Sequence, residues 1–477
     1  MAPVSALEPD ARSLSTRWMF ASGGVASGIV GNAHYFVLIY YNQVLGLSGS
    51  LTGIALAVGL IFDAISDPLV GFASDNWKSR WGRRHPFLYA SILPSLLFYF
   101  LLWHPPSMIQ GELPLFIYLV ACNIGLRFGI TLFWIPAYSI IAEITSDYDE
   151  RTRLISYITS SLSVVGNGMS VAMYAIWLVP TPEYSDGVLN PAGYRDAGLF
   201  GALAIALSIA VFSVGLHRFI PQLKKYHSVT SLAPREFFRQ AKDVIRDASL
   251  RAMGLAGILY YTGSGTYAVL WVYIYSFFWE FSSWEISLLV VPMVLGGLAL
   301  VPVLPRISLG REKKNVAIVM FIGASLVNAT PIVLRLTGFF PANGTDILFW
   351  IMMVAGFLET LFFLMLDATW TSMVTDIVEE SERDTGRRSE GIILSTLSFA
   401  QKCAGALGTL LGGLIIDLIA FPKNAKIGEV GAQTLFELGL VYGPLILALY
   451  LLACFFVGRY RITRSGHAEA VADLREP

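Results

Sequence analysis

The chain has 477 residues, of which 55% are hydrophobic and 14% are charged, and its formal net charge is −1. Soluble proteins carry about 25% charged residues, so this composition, with a mean hydropathy of +0.61, excludes an ordinary soluble protein. A net charge so close to zero gives no bulk attraction to nucleic acid. We therefore predict an all-α integral membrane protein.

Twelve apolar segments are long enough to cross a bilayer, which takes about 20 residues of α-helix. They fall into two groups of six on either side of a long polar loop, so we predict twelve transmembrane helices in two six-helix bundles. An even number of spans places both termini on the same side of the membrane. The predicted spans are 17–46, 50–75, 86–104, 114–145, 154–180, 196–217, 252–279, 285–305, 315–337, 347–377, 389–420 and 436–458.

Most Lys and Arg residues lie on one side of these spans: in the amino terminus, the central loop, the carboxyl tail and the loops after even-numbered spans. By the positive-inside rule, both termini are cytoplasmic in a multi-pass protein of the plasma (inner) cell membrane. Residues 1–17 are polar and mixed in charge, unlike a signal peptide, so we expect the first span to remain in the mature protein.

The long polar and basic loop after the sixth span divides the chain into predicted domains. These are an amino-terminal bundle (1–216), a cytoplasmic central loop (217–251), a carboxyl-terminal bundle (252–458) and a cytoplasmic tail (459–477). Within the loop, residues 234–249 form either a short amphipathic surface helix or part of a flexible tether. Two bundles arranged in this way are typical of transporters whose substrate path runs between two moving halves.

Two carboxylates, Asp63 and Asp67, lie four residues apart inside the apolar second span. This spacing puts both side chains on one helix face, and their distance from the helix ends puts them near the middle of the membrane. Each charge at that depth costs about 2.5–3.5 kcal/mol, and two carboxylates repel each other, so a cation or protons must lie between them. We therefore predict a coupling-ion site, with a structural hydrogen-bonded pair as the alternative.

The loop at 74–86 combines an acid, a glycine and a cluster of bases between two helix ends. Such an acid can pair with bases of a neighbouring helix in one conformation and release them in another, so we predict a conformational gate. Anchoring by the positive-inside rule would explain the bases alone. The corresponding loop of the second half, 305–315, is a weaker copy that indicates an internal duplication. The predicted gate residues are Gly71, Asp75, Arg80, Gly82, Arg83 and Arg84.

The pattern D-A-x-x-D-P-x-x-G-x-x-x-D-x-x-x-x-R-x-G-R-R-x-P, at 63–86, resembles the glycoside–pentoside–hexuronide:cation symporters of the major facilitator superfamily. The segments at 40–48, 135–154, 375–392 and 398–403 resemble the same family, so the likeness covers most of the chain. It implies the major facilitator fold and a secondary active symporter that works by alternating access.

The resemblance also implies roles for single residues. Asp63 and Asp67 match the family's two cation-binding carboxylates, and Ser66 stands where the melibiose permease has an Asn that helps accept sodium. If the coupling ion is Na⁺, Asp63 and Asp67 would be its metal ligands. Lys402 matches a lysine implicated in cation and substrate handling, which would pair with one of these acids. Ser27 and Trp134 replace two sugar-binding acids of the permease, and Asp367 aligns near its tryptophan.

Arg127 lies near the middle of the fourth span, with Trp134 and Tyr138 on nearly the same helix face. A buried guanidinium can donate two parallel hydrogen bonds to a carboxylate or phosphate, and the two rings would form an aromatic surface against which a sugar can stack. This arrangement suits a hexuronide, another acidic glycoside or an amphipathic anion. The alternative is that Arg127 only neutralises Asp63, Asp67 or Asp367.

The sequence thus predicts the symport of a glycoside, hexuronide or related small-molecule sugar, coupled to H⁺ or Na⁺, with no cofactor and no nucleic-acid partner. The alternatives are a cation-coupled carrier of an amphipathic lipid-like anion and a membrane sensor that has lost transport. No P-loop is present, so ATP-driven transport is not supported. The sequence has no His/Glu cluster that could hold a metal and no nucleophile–base spacing, so an enzyme is not predicted.

Overall fold

A computed structural model describes residues 13–145, 147–223, 248–308, 310–385 and 390–463, and these residues contain helices and no strands. The chain divides into two compact units, Met1–Pro234 and Arg235–Pro477. Most of the predicted central loop and tail, including 234–247 of the possible helix at 234–249, lies outside the described residues. Twelve long helices are present in the described residues, which confirms the predicted number.

Six long helices make up the described part of the first unit, and two of them end in a turn of π-helix, Tyr40–Val44 after the first and Met173–Trp177 after the fifth. A short helical extension, Leu216–Phe219 and Ile220–Leu223, follows the sixth. The helices are α1 (Leu14–Ile39), α2 (Gly49–Asn76), α3 (His85–Trp103), α4 (Glu112–Ile144), α5 (Tyr148–Ala172) and α6 (Pro191–Gly215).

The described part of the second unit has six further helices, two of which are interrupted where the sequence predicted one continuous span. They are α7 (Ala248–Tyr273), α8 (Ser283–Leu289 and Val291–Ser308), α9 (Lys313–Leu336), α10 (Asp346–Thr385), α11 (Glu390–Leu418) and α12 (Ala432–Leu440 and Ile446–Val457).

Proline accompanies both interruptions. Pro292 follows the break in α8, and Pro444 lies in the π-helical turn Val441–Leu445 that joins the two parts of α12. Proline lacks the backbone N–H that a regular helix needs and disfavours the helical conformation of the residue before it. A further π-helical turn, Ile274–Phe278, ends α7.

Within the described segments, eight helices are long and apolar enough to cross a membrane by length and composition alone: α2, α3, α4, α6, α9, α10, α11 and α12. On α6, the large side chains of Leu199, Leu203 and Leu207 are exposed and lie on one face. In water this stripe would be unfavourable, and in a bilayer it faces the acyl chains. The surface of α6 is therefore that of a membrane-spanning helix.

Glycines allow the closest helix pairs of each unit to form. A Cβ atom at Gly24 of α1 would lie 2.2 Å from the carbonyl oxygen of Ile158 on α5. In the second unit, a Cβ atom at Gly408 of α11 would lie 2.1 Å from the carbonyl oxygen of Thr262 on α7. Backbones can approach this closely only where small residues face each other.

The α1–α2 and α7–α8 junctions have the same backbone design. In the first, Leu45 N–H donates to Tyr40 O and Leu47 N–H donates to Tyr41 O; in the second, Trp279 and Phe281 donate to Ile274 and Tyr275. Each junction has one residue with positive φ at the same place, Gly46 at 78° and Glu280 at 55°. Each ends at a serine N-cap, Ser48 or Ser282. This repeat supports the internal duplication that the sequence indicated.

Candidate cation and substrate site

The α2 and α4 helices contact each other through residues at four-residue intervals. Asn123 Nδ2 donates a hydrogen bond to Ala55 O at 2.9 Å, and a Cβ atom at Gly59 would lie only 2.1 Å from that nitrogen. Three turns further along, a Cβ atom at Gly71 would make an ordinary 3.6 Å contact with Ile135. Residues four apart share a helix face, so these contacts align the faces that carry Asp63 and Asp67 on α2 and Arg127 on α4.

Thr131 of α4 lies between the two carboxylates of α2. Its Oγ1 is 2.9 Å from Asp63 Oδ1 and 3.1 Å from Asp67 Oδ1. A hydroxyl has one proton to donate, so it can satisfy only one of these oxygens at a time. Asp63 and Thr131 are buried, whereas Asp67 is half-buried. Three side-chain oxygen groups from two helices therefore meet in one cluster.

Arg127 supplies a positive charge to this cluster. Its Nη1 lies 3.7 Å from Asp63 Oδ2. Thr131 contacts the other oxygen of the same carboxylate, Oδ1. Two ionised carboxylates and one guanidinium leave a formal charge of −1, which one monovalent cation or one proton would neutralise. The charge of the group therefore matches a singly charged coupling ion.

Ser66 completes the oxygen-rich side of the cluster. Its Oγ donates to Asp63 O at 3.3 Å and lies 3.5 Å from Thr131 Oγ1. Across the described parts of the chain, no group of three or more His, Cys, Asp or Glu residues is placed to hold a metal ion. Carboxylate and hydroxyl oxygens are the ligands of hard cations, so the chemistry of this set fits Na⁺ or H⁺.

The residues predicted to bind substrate are divided between the units. In the first unit, the rings of Trp134 and Tyr138 on α4 are half-buried, with centroids 4.7 Å apart and planes at 52°. Ser27 on α1 has a buried Oγ with no hydrogen-bond partner among the described residues. In the second unit, α11 carries the half-buried Lys402, and α10 carries the exposed Asp367.

The predicted gate contains a network of buried and half-buried charges at the ends of α2, α3 and α4. Arg84 forms an ion pair with Asp75, and its Nε lies 3.1 Å from Glu143 Oε1. Arg83 Nη2 donates to the same Glu143 oxygen at 2.8 Å, and Arg84 Nη1 donates to Ser74 Oγ at 2.8 Å. Glu143, at the end of α4, was not among the predicted gate residues.

The other gate residues have separate positions. Gly82 has a φ of 78°, a backbone conformation that glycine adopts without strain, and it turns the chain just before the two arginines. The Arg80 guanidinium lies over the Trp81 ring, 5.0 Å from its centroid. Gly71 has room for a Cβ atom, so its neighbours do not require a glycine there.

The second unit has a corresponding ion pair. Lys313, at the start of α9, donates to both carboxylate oxygens of Asp376 on α10, at 2.6 and 2.9 Å. Gly310, just before it, has a φ of 73°, as Gly82 has in the first unit. A base at the start of the third helix of each unit thus pairs with an acid near the carboxyl end of the fourth.

Comparison with known proteins shows what these features belong to. The family described as MFS/sugar transport protein matches residues 19–464. This chain is a member of that family. It is accordingly a transporter of the major facilitator superfamily and a multi-pass cell-membrane protein, and it is not an enzyme. The family that the sequence resembles, the predicted fold class and the predicted membrane location are confirmed.

Individual relatives of this chain share less than a third of its residues over the matched regions. An uncharacterized symporter, sll1374, of Synechocystis sp. (strain ATCC 27184 / PCC 6803 / Kazusa) is 31% identical, over 42% of this chain and only 35% of its own length. The putative glycoside/cation symporter YagG of Escherichia coli (strain K12) is 22% identical over 95% of this chain and 93% of its own length. Both names describe symporters, and the second also names a glycoside and a cation.

Solved structures agree with the fold of the family. The inward-open xylose transporter XylE from E. coli has a TM-score of 0.65 to this protein, with 13% identity over 96% of this chain and 99% of that one. At this identity the likeness concerns the fold alone.

Sequence reasoning missed a further intramembrane carboxyl group, Glu359 on α10. Glu359 is buried, and its Oε1 accepts a hydrogen bond of 3.0 Å from Asn328 Nδ2 on α9. Tyr267 and Tyr275 of α7 and Tyr442 of α12 are near enough to interact with it electrostatically. The signal was available, because any ionisable residue inside a span is a candidate functional residue.

Proposed function

We propose that this transporter is a symporter that couples the uptake of a glycoside or related sugar to a monovalent cation held at Asp63, Asp67, Ser66 and Thr131. The observation that carries the proposal is the hydroxyl of Thr131 between two intramembrane carboxylates beside one arginine. The group has one negative charge in excess. Binding a cation or proton there neutralises a charge that is costly inside the membrane while the two halves move around the site.

The substrate class is proposed from the aromatic pair and from the relatives. Trp134 and Tyr138 lie on α4 beyond Thr131, on the helix that also holds the cation cluster. Aromatic faces pack against the apolar face of a sugar ring, and YagG, which matches nearly the whole chain, is described as a putative glycoside/cation symporter. Ser27, Asp367 and Lys402 remain proposed substrate contacts.

The position of Arg127 favours a neutral glycoside over an anion. Its guanidinium is already paired with Asp63, so a hexuronide or an amphipathic lipid-like anion would have to compete with that carboxylate. We propose that Arg127 acts as the counter-charge of Asp63. The lipid-like carrier is therefore the weaker alternative, and a sensor without transport leaves the carboxylate cluster unexplained.

Transport by purified protein in liposomes tests the coupling. Wild-type protein is expected to concentrate a glycoside under an inward Na⁺ or H⁺ gradient. Asp63→Asn and Asp67→Asn should each abolish concentration while preserving the folded protein, because each removes a charge that the cation neutralises. Asp196→Asn, at an exposed site on α6, is the matched control. Full gradient-driven accumulation by both site variants would refute the proposal.

A second measurement separates neutral from anionic substrates. Arg127→Gln should weaken cation coupling for neutral and acidic glycosides alike, because the counter-charge of Asp63 is lost. If Arg127 instead anchors an anionic substrate, the variant should bind acidic glycosides about 10- to 150-fold more weakly and neutral ones normally. The two outcomes assign Arg127 to the cation or to the substrate.

A further inference from the structure

The second unit has a basic cavity at the ends of α7, α9 and α12, next to the Lys313–Asp376 ion pair. Its volume is about 660 Å³, within the range of small-ligand sites. The positive-inside rule places these helix ends on the cytoplasmic side. The cavity is lined by Arg251, Ala252, Leu255, Lys314, Phe456, Gly458, Arg459, Tyr460 and Arg461.

Four of the lining residues are cationic: Arg251, Lys314, Arg459 and Arg461. Among the residues that the structure describes, none of these four forms an ion pair, whereas the neighbouring Lys313 is paired with Asp376. Lys314 Nζ donates to Tyr460 O at 3.3 Å, a contact that leaves its charge in place. Like charges brought together repel, so the cavity favours an anion that all four can contact.

Aromatic residues hold the segment that follows α12 and carries Arg459 and Arg461. The Arg459 guanidinium lies over the ring of Phe455, 4.4 Å from its centroid. Tyr460, between Arg459 and Arg461, is buried, and its hydroxyl contacts Met373 O at 3.1 Å and Asp376 Oδ2 at 3.3 Å. The backbone that carries the two arginines is thereby fixed to α10. Positioned donors lose less entropy on binding than mobile ones.

Apolar surface borders the charged cavity. Leu255 on α7 is 46% exposed and Phe455 on α12 is 55% exposed, and both belong to membrane helices. A ligand at this place therefore meets cations at one end and bilayer-facing hydrocarbon at the other. A phospholipid has this division of polarity, and its phosphate is an acceptor for several guanidinium groups.

We propose that this cavity binds the headgroup of an anionic phospholipid from the cytoplasmic leaflet. The phosphate contacts Arg251, Lys314, Arg459 and Arg461, and the acyl chains lie against Leu255 and Phe455. The proposal is independent of the transported substrate and of the coupling ion.

The test is a titration of the purified full-length protein in detergent with phosphatidylglycerol, followed by native mass spectrometry. The wild-type protein should bind the first phosphatidylglycerol at least about tenfold more tightly than phosphatidylcholine. Arg251→Gln with Arg459→Gln should remove most of this preference and leave the affinity for phosphatidylcholine unchanged.

The control is Lys78→Gln with Arg311→Gln, which removes the same charge from exposed cytoplasmic positions outside the cavity. It should change the phosphatidylglycerol affinity by less than about twofold. Equal losses in both variants would show general surface attraction and overturn the proposal. Displacement of the lipid by equimolar inorganic phosphate would identify a free-phosphate site and overturn the assignment to a lipid.

Discussion

Thr131 contacts both Asp63 and Asp67, two carboxylates that repel each other. Each carboxylate near mid-membrane costs about 2.5–3.5 kcal/mol, and the two repel each other. Thr131 lies within hydrogen-bonding distance of one oxygen of each, and Arg127 offsets one of the two charges. In the site that we propose, the residues that reduce this repulsion would therefore also determine how strongly a cation is bound.

Thr131→Val removes the hydroxyl and preserves the shape of the side chain. A hydrogen bond to a charged group is worth about 1.5–3 kcal/mol, so the cation concentration for half-maximal uptake should rise at least about tenfold. Thr131→Ser retains the hydroxyl and should restore near-normal coupling. An unchanged cation dependence in Thr131→Val would remove this residue from the site.

Glu359 and Asn328 form a polar pair in the second unit, in surroundings rich in aromatic side chains. A buried polar group without a partner costs about 1–3 kcal/mol, whereas replacing both partners with apolar groups can be nearly neutral. Asn328→Leu should therefore lower the unfolding temperature of the detergent-solubilised protein. Adding Glu359→Leu to it should recover much of the loss. If the double variant is less stable than either single variant, the pair does not stabilise the protein in this way.

At the scale of helices, glycine contacts determine which helices approach most closely. Gly24 faces the backbone of α5, where no side chain can move aside to make room. A Cβ atom added at Gly31, two turns further along the same helix, would have no neighbouring atom within 4 Å. The two positions differ in packing but lie in the same helix. Comparing substitutions at both therefore distinguishes an effect of packing from an effect of helix propensity.

Gly24→Ala should destabilise the protein by about 1–3 kcal/mol or more, because α1 and α5 must separate to accept the methyl group. Gly31→Ala should be neutral or stabilising by up to about 1 kcal/mol, since alanine is the better helix former. Unfolding temperatures of the two purified variants provide the comparison. Similar values for both would contradict the account of α1–α5 packing.

At the scale of the whole molecule, each unit has a base–acid pair at equivalent helix ends. Arg83 and Arg84 contact Glu143 in the first unit, and Lys313 contacts Asp376 in the second. Buried charges are strongly destabilised when one partner is removed, so these pairs favour the conformation in which they form. We propose that they contribute to conformational balance and make no ligand contacts.

Glu143→Gln should therefore reduce the transport rate by about tenfold or more, with a much smaller change in substrate affinity. Asp376→Asn should have the same kind of effect through the second unit. Glu183→Gln, at an exposed loop position, is the control. Binding affinity and uptake rate would be measured on the same protein preparations. Equal losses of affinity and rate in Glu143→Gln would contradict a role in conformational change.

The sequence by itself determined the class of the protein and its helices. Apolar length gives twelve spans because every backbone polar group must be satisfied within the bilayer, and a helix does so from its own residues. The i,i+4 spacing of Asp63 and Asp67 put them on one face because residues four apart are neighbours on a helix surface. The breaks in α8 and α12 were missed, although Pro292 and Pro444 were visible, because hydropathy does not register a missing N–H.

Only the tertiary structure decided which residues complete the sites. Thr131 is 64 positions beyond Asp67, and Glu143 is 59 beyond Arg84, so their contacts depend on how α2, α3 and α4 pack. The same packing placed Arg127 beside Asp63, an alternative that the sequence left open. Helix periodicity fixes which face a residue occupies within its own helix. Which faces meet, and in what register, follows from close contacts such as Gly59 with Asn123, which have no periodic signature in the sequence.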